Sequence, residues 1–353
     1  MTTVMITGGA GFIGCNVARC WLERGASVRL FDNLSRRGTA SNVSWLRDLY
    51  GDRVEFVRGD VRDAQAVEGA IRGADLVFHM ASQVAVTLSV QNPLEDFMVN
   101  ALGTLHVLEA ARKHAPDAPF IYASTNKVYG ELEGSRVKKV GPRYVSESCP
   151  EGVGEGQRLD FHSPYGCSKG AGDQYVRDYA RIYGLPTVVF RQSCIYGLRQ
   201  FGHEDQGWVA HFLITASAGA PIAIYGDGCQ VRDVLYIDDL LEAYHSAIDR
   251  IAVTRGQVYN IGGGPENTVS VNEVIELIRD VLGGQPGVNY GPWRPGDQRL
   301  YVSDIRKAAR DFGWAPRVRP KDGIARLYAW IKENAALFDS RRLRSSGREL
   351  TAP

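Results

Sequence analysis

Tyr165 and Lys169 lie four residues apart, a spacing that could place a general base beside an ammonium group. If the chain is helical from about Tyr165, Lys169 lies one turn further along the same face. A phenol is a poor base at its ordinary pKa of about 10. A nearby ammonium and a cationic nicotinamide ring would both favour the phenolate, which can accept a proton. Because this spacing also arises by chance, its sequence context must decide its meaning.

The N-terminal segment predicts a dinucleotide-binding unit. A short apolar strand runs into a glycine-rich turn, and a helical pattern and a second strand follow. The turn carries Gly8, Gly11 and Gly14, which would let the backbone approach a pyrophosphate at the helix N-terminus. Asp32 ends the second strand and can accept both hydroxyls of an adenine ribose. Its charge would repel the 2′-phosphate of NADP, although Arg36 nearby weakens that inference.

Alternating strand and helix patterns continue along the chain and predict a doubly wound parallel sheet. Asp60 follows a strand and could bind the amino group of an adenine, cap the helix predicted from Ala64, or do both. His79 ends another strand and is interpreted as a core histidine with satisfied hydrogen bonds. A helix is predicted over about 93–113, with Phe97 among its inward residues.

Thr125 follows a predicted strand over 120–123. In an open parallel sheet, ligands bind beyond the carboxyl ends of the strands. Thr125 therefore lies at an expected catalytic position, on the same edge as the glycine-rich turn.

The composition is that of an ordinary globular protein, with 44% hydrophobic and 23% charged residues among 353. The formal net charge of +1 gives no general attraction for nucleic acid or an anionic membrane, and we expect neither as a partner. No apolar run approaches about 18 residues. Six cysteines show neither a C-x-x-C pair nor a metal-ligand spacing. We therefore expect reduced thiols, no metal site and a cytoplasmic protein.

Together these residues resemble the extended short-chain dehydrogenase/reductase superfamily, and within it the nucleotide-sugar epimerase/dehydratase branch. The resemblance covers about residues 3–335 and implies a Rossmann fold with bound NAD. It also implies a catalytic triad of Thr125, Tyr165 and Lys169. In these roles Thr125 orients a sugar hydroxyl and Tyr165 takes its proton. Lys169 holds the nicotinamide ribose and depresses the pKa of the tyrosine.

The resemblance implies further contacts with both ligands. Those expected at NAD are Gly8, Gly11, Phe12, Ile13, Gly14, Asp32, Asn33, Ser35, Arg36, Asp60, Val61, Ala81, Gln83, Asn100, Tyr165, Lys169 and Gln192. Those expected at the nucleotide-diphosphate sugar are Thr125, Asn126, Lys127, Arg232, Arg294 and Arg299. A guanidinium fork suits a diphosphate better than a lysine does. Alternatively, Arg232 forms a structural ion pair with Asp233 or Asp238.

Asn126 and Lys127 separate this chain from the sugar 4,6-dehydratases, which typically have Asp and Glu at these positions. An amide and an ammonium cannot supply that acid and base, so dehydration is disfavoured. The segment 124–130 closely resembles that of the CDP-tyvelose (CDP-paratose) 2-epimerases. Three further strings resemble those enzymes: 159–170, 199–201 and 205–209. The alternative is a sub-branch with the same fold and a different sugar or nucleotide.

The expected organisation is a Rossmann domain and a smaller C-terminal α/β lobe for the nucleotide sugar. Their expected limits are 1–196 with about 231–261 for the first, and about 197–230 with 262–335 for the second. The insertion between Gly130 and Tyr165 is predicted to be a loop, either framing the sugar or simply solvated. Residues 339–353 are predicted to be a mobile tail.

The predicted reaction is inversion at C2 of a CDP-hexose, by transient oxidation to a ketone and reduction from the other face. NAD would be regenerated in every cycle. The alternatives are C4 epimerisation on the same scaffold and, less favoured, 4,6-dehydration. An NAD-sensing protein with a vestigial triad is an alternative of a different class. The resemblance also implies a homodimer or homotetramer, with dimer contacts through helices near 95–112 and 166–182.

Overall fold

The structure is a computed structural model that describes residues 1–132, 136–294 and 298–338. The predicted tail, 339–353, lies outside the described residues. The strands are β1 (Thr3–Thr7), β2 (Ser27–Asp32), β3 (Val54–Arg58), β4 (Leu76–His79), β5 (Phe120–Thr125), β6 (Val137–Val140), β7 (Arg143–Ser146), β8 (Thr187–Gln192), β9 (Cys194–Tyr196), β10 (Ile222–Tyr225), β11 (Val231–Tyr236), β12 (Gln257–Ile261), β13 (Thr268–Ser270), β14 (Val288–Gly291) and β15 (Leu300–Tyr301).

Helices follow most of these strands. They are α1 (Phe12–Glu23), α2 (Thr39–Tyr50), α3 (Ala64–Ile71), α4 (Val86–Gln91), α5 (Pro93–Phe97), α6 (Gly103–His114), α7 (Ser163–Tyr183), α8 (Trp208–Ser217), α9 (Ile237–Asp249), α10 (Ile251–Thr254), α11 (Val271–Leu282), α12 (Arg306–Phe312) and α13 (Pro320–Glu333). No helix within the described ranges is both long and apolar enough to cross a membrane.

Seven parallel strands form the main sheet, in the order β12-β8-β5-β4-β1-β2-β3. This order confirms the predicted doubly wound sheet. Val4 and Ile6 of β1 face one apolar layer, while Met5 faces the other. Helices cover both faces, which is why the central strands read as continuous apolar runs. The chain changes direction between β1 and β4, so a crevice opens at their carboxyl ends.

The helix predicted over 93–113 is not continuous. A π-helical stretch, Met98–Leu102, separates α5 from α6. The π turn holds an extra residue and breaks the 3.6-residue period on which the prediction rested. Phe97 was expected to face inward, but 54% of it is exposed, so that prediction was wrong.

The cap of α3 also differs from the expectation. Asp63 caps the helix by accepting hydrogen bonds from the backbone N–H groups of Gln65 and Ala66. Asp60 instead accepts hydrogen bonds from Arg62 and Asn33, at 2.8 and 2.9 Å. The hydrogen bond from Arg62 lowers the pKa of Asp60 to about 2. Asp60 therefore does not cap α3, and its contact with an adenine amino group stays a prediction.

The insertion before α7 contains an antiparallel hairpin, β6–β7, and is not wholly the loop that was expected. The hairpin is fixed to the C-terminal part of the chain. The backbone N–H of Tyr144 donates to the carbonyl of Cys229 at 2.9 Å, and Nε of Arg143 donates to Glu273 at 2.8 Å. Hydrogen bonds therefore hold this segment against the C-terminal part of the chain.

Smaller sheets form beyond the Rossmann unit. β11 pairs with β9, β13 and β15, while β10 pairs with β14. β11 opens the segment 231–261 that was assigned to the Rossmann domain, and only β12 of that segment joins the main sheet. The division of the chain into two domains at the expected residues stays a prediction.

One buried ion pair ties α7 to the main sheet. Arg191 of β8 donates from Nε and Nη2 to the two carboxylate oxygens of Asp173, both at 2.8 Å. Asp173 is fully buried and Arg191 is 2% exposed. Ser124 Oγ donates to the same carboxylate at 2.8 Å. The pair therefore fixes the helix against the strand end that carries Thr125.

Arg191→Met should lower the free energy of unfolding by about 3–5 kcal/mol, because it leaves the Asp173 carboxylate buried without its partner. Arg279→Met is the matched control, since Arg279 pairs with Asp280 at 3.1 Å on the exposed surface of α11. Its cost should be about 0–1 kcal/mol. Urea titrations followed by circular dichroism measure both values. Equal losses in the two variants would contradict a special role for the buried pair.

Candidate active site

The first turns of α7 bring Tyr165 and Lys169 into the interior. The helix begins at Ser163, with Pro164 in its first turn, where a missing N–H costs nothing. The backbone N–H of Tyr165 donates to Ser89 Oγ at 3.1 Å, which fixes the start of the helix against α4. Tyr165 is 8% exposed and Lys169 3% exposed. The predicted one-turn spacing thus yields two buried polar side chains.

The environment of Tyr165 keeps its phenol protonated at neutral pH. Burial raises the pKa of Tyr165 to about 12, against the lowering effect of a hydrogen bond with Thr125. The charge of Asp96 raises this pKa further, and that of Arg36 lowers it. Lys169 is not among these groups, and a lowering of the tyrosine pKa by Lys169 stays a prediction. The phenolate needs a further positive charge, of the kind a nicotinamide ring carries.

Lys169 is an ammonium held in the core. Burial lowers the pKa of Lys169 to about 7, and the carboxylates of Asp173 and Asp96 oppose this effect. Its Nζ lies 4.3 Å from the centroid of the Tyr122 ring, in a cation–π contact. The ammonium therefore depends on the carboxylates and the ring around it.

Thr125, the last residue of β5, lies where the sequence placed it. Its hydroxyl donates to Asn126 Oδ1 at 3.3 Å and accepts from the backbone N–H of Lys127 at 3.2 Å. Residues Asn126–Tyr129 form a 3₁₀ turn, so the chain leaves the sheet there. The hydrogen bond that lowers the pKa of Tyr165 shows that the Thr125 hydroxyl reaches the phenol.

The glycine-rich turn fits a dinucleotide pyrophosphate. A Cβ on Gly14 would lie 2.2 Å from the Gly8 carbonyl oxygen, and one on Gly8 would lie 2.7 Å from the Ala81 nitrogen. Gly8 also has a φ of +64°. Gly11 is the N-cap of α1 and offers no side-chain cap to its first N–H groups, which belong to Phe12 and Ile13. Those donors suit an anion at the helix N-terminus.

The carboxylate of Asp32 lies at the end of β2 beside this turn. Its oxygens accept hydrogen bonds from the backbone N–H groups of Ala10 and Leu34, at 3.1 and 2.8 Å. Burial raises the pKa of Asp32. Arg36 donates a hydrogen bond to Gln206 in the loop before α8, and its charge acts on Tyr165 and Asp32. Arg36 thus spans the cleft between the Rossmann unit and that loop.

Several residues expected at NAD form a hydrogen-bonded layer around the crevice. Asn100 Oδ1 accepts from Ser82 Oγ at 2.8 Å and from the backbone N–H of Gln83 at 2.9 Å. Asn100 Nδ2 donates to the carbonyl of Gln83 at 2.9 Å and to Asp96 and Ser168, both at 3.1 Å. Both side-chain atoms of Asn100 are engaged with protein, so its position suits holding the Gln83 loop against α7.

The remaining expected cofactor residues line the same crevice or its walls. Asn33 donates to Asp60 at 2.9 Å, Ser35 is exposed, and Val61 is buried. The backbone N–H of Ala81 donates to Thr7 Oγ1 at 3.2 Å. Gln192 is buried and donates its amide to the phenol of Tyr244. The direct contacts of these residues with NAD stay predictions.

His79 has the structural role expected of it. Its ring nitrogens lie 2.6 Å from Thr7 Oγ1 and 2.9 Å from Thr104 Oγ1, and burial lowers the pKa of His79 to about 3. It is a neutral histidine that links β1 to α6.

The basic residues expected at the sugar nucleotide fall into two groups. Arg232 and Lys127 both act electrostatically on the half-buried thiol of Cys194, so both lie in its neighbourhood. Arg232 Nη1 also donates to the carbonyl of Val231 at 2.8 Å. Asp233 accepts instead from Ser193 Oγ and from the backbone N–H of Ser303, while Asp238 lies near Arg19 and Arg326.

Arg294 and Arg299 lie further out. The guanidinium of Arg294 lies 3.9 Å from the centroid of the Tyr225 ring and 3.1 Å from Glu204. That of Arg299 lies 5.6 Å from the centroid of the Tyr144 ring. Arg294 therefore lies against an aromatic ring of β10, and Arg299 lies near one of β7 in the hairpin.

The sequence prediction missed the two carboxylates that support Lys169. Asp96 is 1% exposed and accepts from Ser168 Oγ at 2.5 Å, and Asp173 is fully buried. Asp173 follows Lys169 by four residues on α7, a spacing that could have signalled it. Asp96 comes from α5 and had no such signal. Within the described residues, no cluster of metal-ligating side chains is present.

Comparison with known proteins identifies the family. A sequence profile described as the NAD dependent epimerase/dehydratase family matches residues 4–262. The chain belongs to this family. The CDP-paratose 2-epimerase of Salmonella typhi is 45% identical to it over 334 residues, covering 93% of this chain and 98% of that enzyme. A dTDP-glucose 4,6-dehydratase of Streptomyces antibioticus is 34% identical over 352 residues, covering 98% and 96%.

A solved structure connects the fold with the cofactor. The UDP-glucose 4-epimerase of Thermus thermophilus, in complex with NAD, superposes with a TM-score of 0.79 at 33% identity. The match covers 94% of this chain and 100% of that one. The predicted family and fold are thereby confirmed. The cofactor is NAD, and the chain is an isomerase of the nucleotide-sugar epimerase type.

Tyr165→Phe keeps the ring but removes the proton acceptor, so turnover should fall by about 10²–10⁴-fold while NAD remains bound. Lys169→Ala should lower both turnover and NAD retention. Tyr175→Phe, on the exposed side of the same helix, is the control and should change neither. Steady-state kinetics and the NAD content of denatured protein measure the two properties. Near-normal turnover of Tyr165→Phe would assign the base to another residue.

Proposed function

We propose that this nucleotide-sugar epimerase inverts C2 of a CDP-hexose of the CDP-paratose/CDP-tyvelose type. The main support is the 45% identity to a CDP-paratose 2-epimerase along nearly the whole chain. The strings at 124–130 and 159–170, which surround the proposed catalytic residues, carry the same resemblance. Other members of the family act on UDP- and dTDP-sugars, so the nucleotide and the carbon are the parts that need testing.

We assign the proton chemistry to Tyr165 and Thr125. Beside the positive charge of a nicotinamide ring Tyr165 would be a phenolate, which takes the proton of the sugar hydroxyl at the carbon to be inverted and becomes a phenol. The Thr125 hydroxyl would orient both groups. Bound NAD would supply the hydride chemistry at that carbon. Gly8, Gly11 and Asp32 would hold its pyrophosphate and adenine ribose. Burial of the site keeps water away from the reacting carbon.

The substrate would extend from Thr125 toward the C-terminal lobe. Lys127 and Arg232, which both act on the thiol of Cys194, carry a positive charge that suits a diphosphate. Arg294 and Arg299 would serve the nucleotide end. Residues about 197–230 and 262–335 would form this substrate lobe.

The rival reactions differ in what they require of the chain. Elimination of water needs an acid and a base next to Thr125, where this chain has Asn126 and Lys127. Epimerisation at C4 needs the same triad and only a different placement of the sugar, so it is the second candidate. The presence of Thr125, Tyr165 and Lys169 together, all three buried, argues against an NAD-sensing protein with a vestigial triad.

A substrate deuterated at C2 should keep its label through many turnovers, because a hydrogen that leaves as hydride and returns never meets solvent. In D₂O the product should therefore gain no deuterium. Proton couplings in the NMR spectrum identify the inverted carbon, and panels of CDP-, UDP-, dTDP- and GDP-sugars identify the nucleotide.

Two outcomes would count against different parts of the proposal. Solvent deuterium at the inverted carbon would exclude direct hydride transfer and would favour a carbanion beside a ketone. Inversion at C4 with the label retained would exclude the C2 assignment and leave the proton chemistry of Tyr165 unchanged.

We further propose a homodimer that pairs α5–α6 and α7 with their copies. Apolar side chains are exposed on these helices. They are Leu94, Phe97, Tyr175, Ile182 and Tyr183, from 47% to 67% exposed. Clustered exposed apolar side chains are typical of an interface between proteins.

Phe97→Glu combined with Ile182→Glu should convert the proposed dimer to monomer, because each charge would be buried twice in a symmetric interface. Val253→Glu, an equally exposed position on α10, is the control. Sedimentation velocity measures the mass. A monomeric unmodified chain, or a double variant that remains dimeric, would contradict this interface.

A further inference from the structure

A cavity of about 630 Å³ opens at the edge of the main sheet, outside the proposed active site. It lies between β12, α7, α12 and the loop before α7. Gln257 and Val258 of its wall are at the start of β12, whose other end, Ile261, pairs with Gln192 beside Thr125. At about 3.3 Å per residue, four residues of strand place this end of β12 roughly 13 Å from the catalytic edge. Arg191 reaches the cavity from β8, where it pairs with Ser124.

Cationic side chains dominate the wall of this cavity. Five are present, namely Arg177, Arg191, Arg306, Lys307 and Arg310, against two carboxylates. Three of the five arginine and lysine groups have carboxylate partners. These pairs are Arg191 with Asp173, Arg306 with Asp304, and Arg310 with Asp311.

The two carboxylates of the wall are already engaged by the protein. Asp304 accepts hydrogen bonds from the backbone N–H and the guanidinium of Arg306, between 2.7 and 3.0 Å. Glu155 accepts from the backbone N–H of Asn260 at 2.8 Å. Neither pairs with Arg177, which faces the same cavity.

Arg177 is the residue of this wall that most favours a bound anion. Its Nε is buried and makes no hydrogen bond within the described part of the chain, and no ion pair there includes this residue. Burial lowers the pKa of Arg177, and the charges of Arg181 and Arg191 lower it further, against the effect of Asp173. The side chain as a whole is half-buried, and a buried guanidinium N–H without an acceptor is costly. The position is therefore one that a bound anion would stabilise.

Lys307 of α12 lines the same cavity and also has no carboxylate partner within the described residues. Its ammonium donates to Gln257 Oε1 at 3.1 Å and to the carbonyl of Val258 at 2.8 Å, which are neutral partners. Burial lowers the pKa of Lys307, opposed by Glu155 and Asp311 and aided by the charges of Arg177 and Arg310. The positive charges of Arg177 and Lys307 face the same cavity, and neither carboxylate of its wall pairs with both of them.

The geometry points to a second ligand site in this cavity, which we propose binds a small anion bearing two linked phosphate groups. Such an anion would accept hydrogen bonds from the Arg177 fork at one end and from Lys307 at the other. Linked phosphates suit an arginine and a lysine together, since the first donates a pair of bonds and the second a point charge. A volume of about 630 Å³ also has room for a nucleoside on the diphosphate.

Isothermal titration of the NAD-loaded protein with inorganic pyrophosphate tests the site. Arg177→Gln and Lys307→Gln should each weaken pyrophosphate binding at least about tenfold, because each removes charge-assisted hydrogen bonds. Arg72→Gln, an exposed arginine elsewhere on the surface, makes the same charge change and should leave the affinity unaltered. The KM for the nucleotide sugar should stay the same in all three variants.

Parallel titrations with ADP distinguish the two sources of a diphosphate. Tighter binding of ADP than of pyrophosphate, lost in the same two variants, would assign a nucleoside diphosphate. Equal binding of both would assign free diphosphate. No pyrophosphate binding, or equal affinity in the unmodified protein, Arg177→Gln and Lys307→Gln, would overturn the proposal. Thermal melting confirms that each variant is folded.

Discussion

The structure around the active site depends on keeping the ammonium of Lys169 in the protein interior. Burial lowers the pKa of Lys169 to about 7, against the raising effects of Asp173 and Asp96. Each carboxylate must in turn be held in place. Asp173 is fixed by Arg191 and Ser124, while Asp96 is fixed by Ser168 and Gln83.

This network links parts of the fold that are distant in sequence. Arg191 and Ser124 belong to neighbouring strands of the main sheet, and Ser124 precedes Thr125. Asn100, in the π turn, connects Asp96 and Ser168 to the Gln83 loop at the end of β4. The break in the predicted long helix thus places the amide of Asn100 where the network needs it. A regular helix would present a different set of side chains.

This network is separate from the turn that follows β5. Tyr165, Lys169 and their supporting carboxylates belong to α7 and the sheet, whereas Asn126 and Lys127 belong to the 3₁₀ turn that follows β5. Residues in that turn can change the chemistry beside the substrate without disturbing the buried charges. The absence of an acid–base pair at these two positions is therefore compatible with an intact triad.

The sequence by itself determined the doubly wound sheet, the glycine-rich turn and the catalytic spacing of α7. These depend on local periodicity, on glycines that nothing larger could replace, and on residues four apart on one helix. It also carried the family resemblance that the comparisons confirmed, together with NAD as the cofactor.

Only the tertiary structure decided which groups shift the pKa values of Tyr165 and Lys169. Asp96 reaches Lys169 from α5, and Arg36 acts on Tyr165 across the cleft, through contacts that no local pattern encodes. The pKa of Tyr165 likewise follows from burial and the surrounding charges, which depend on packing. The hairpin in the insertion was likewise decided by partners elsewhere in the fold. The cap at Asp63 was decided by the geometry of a single turn.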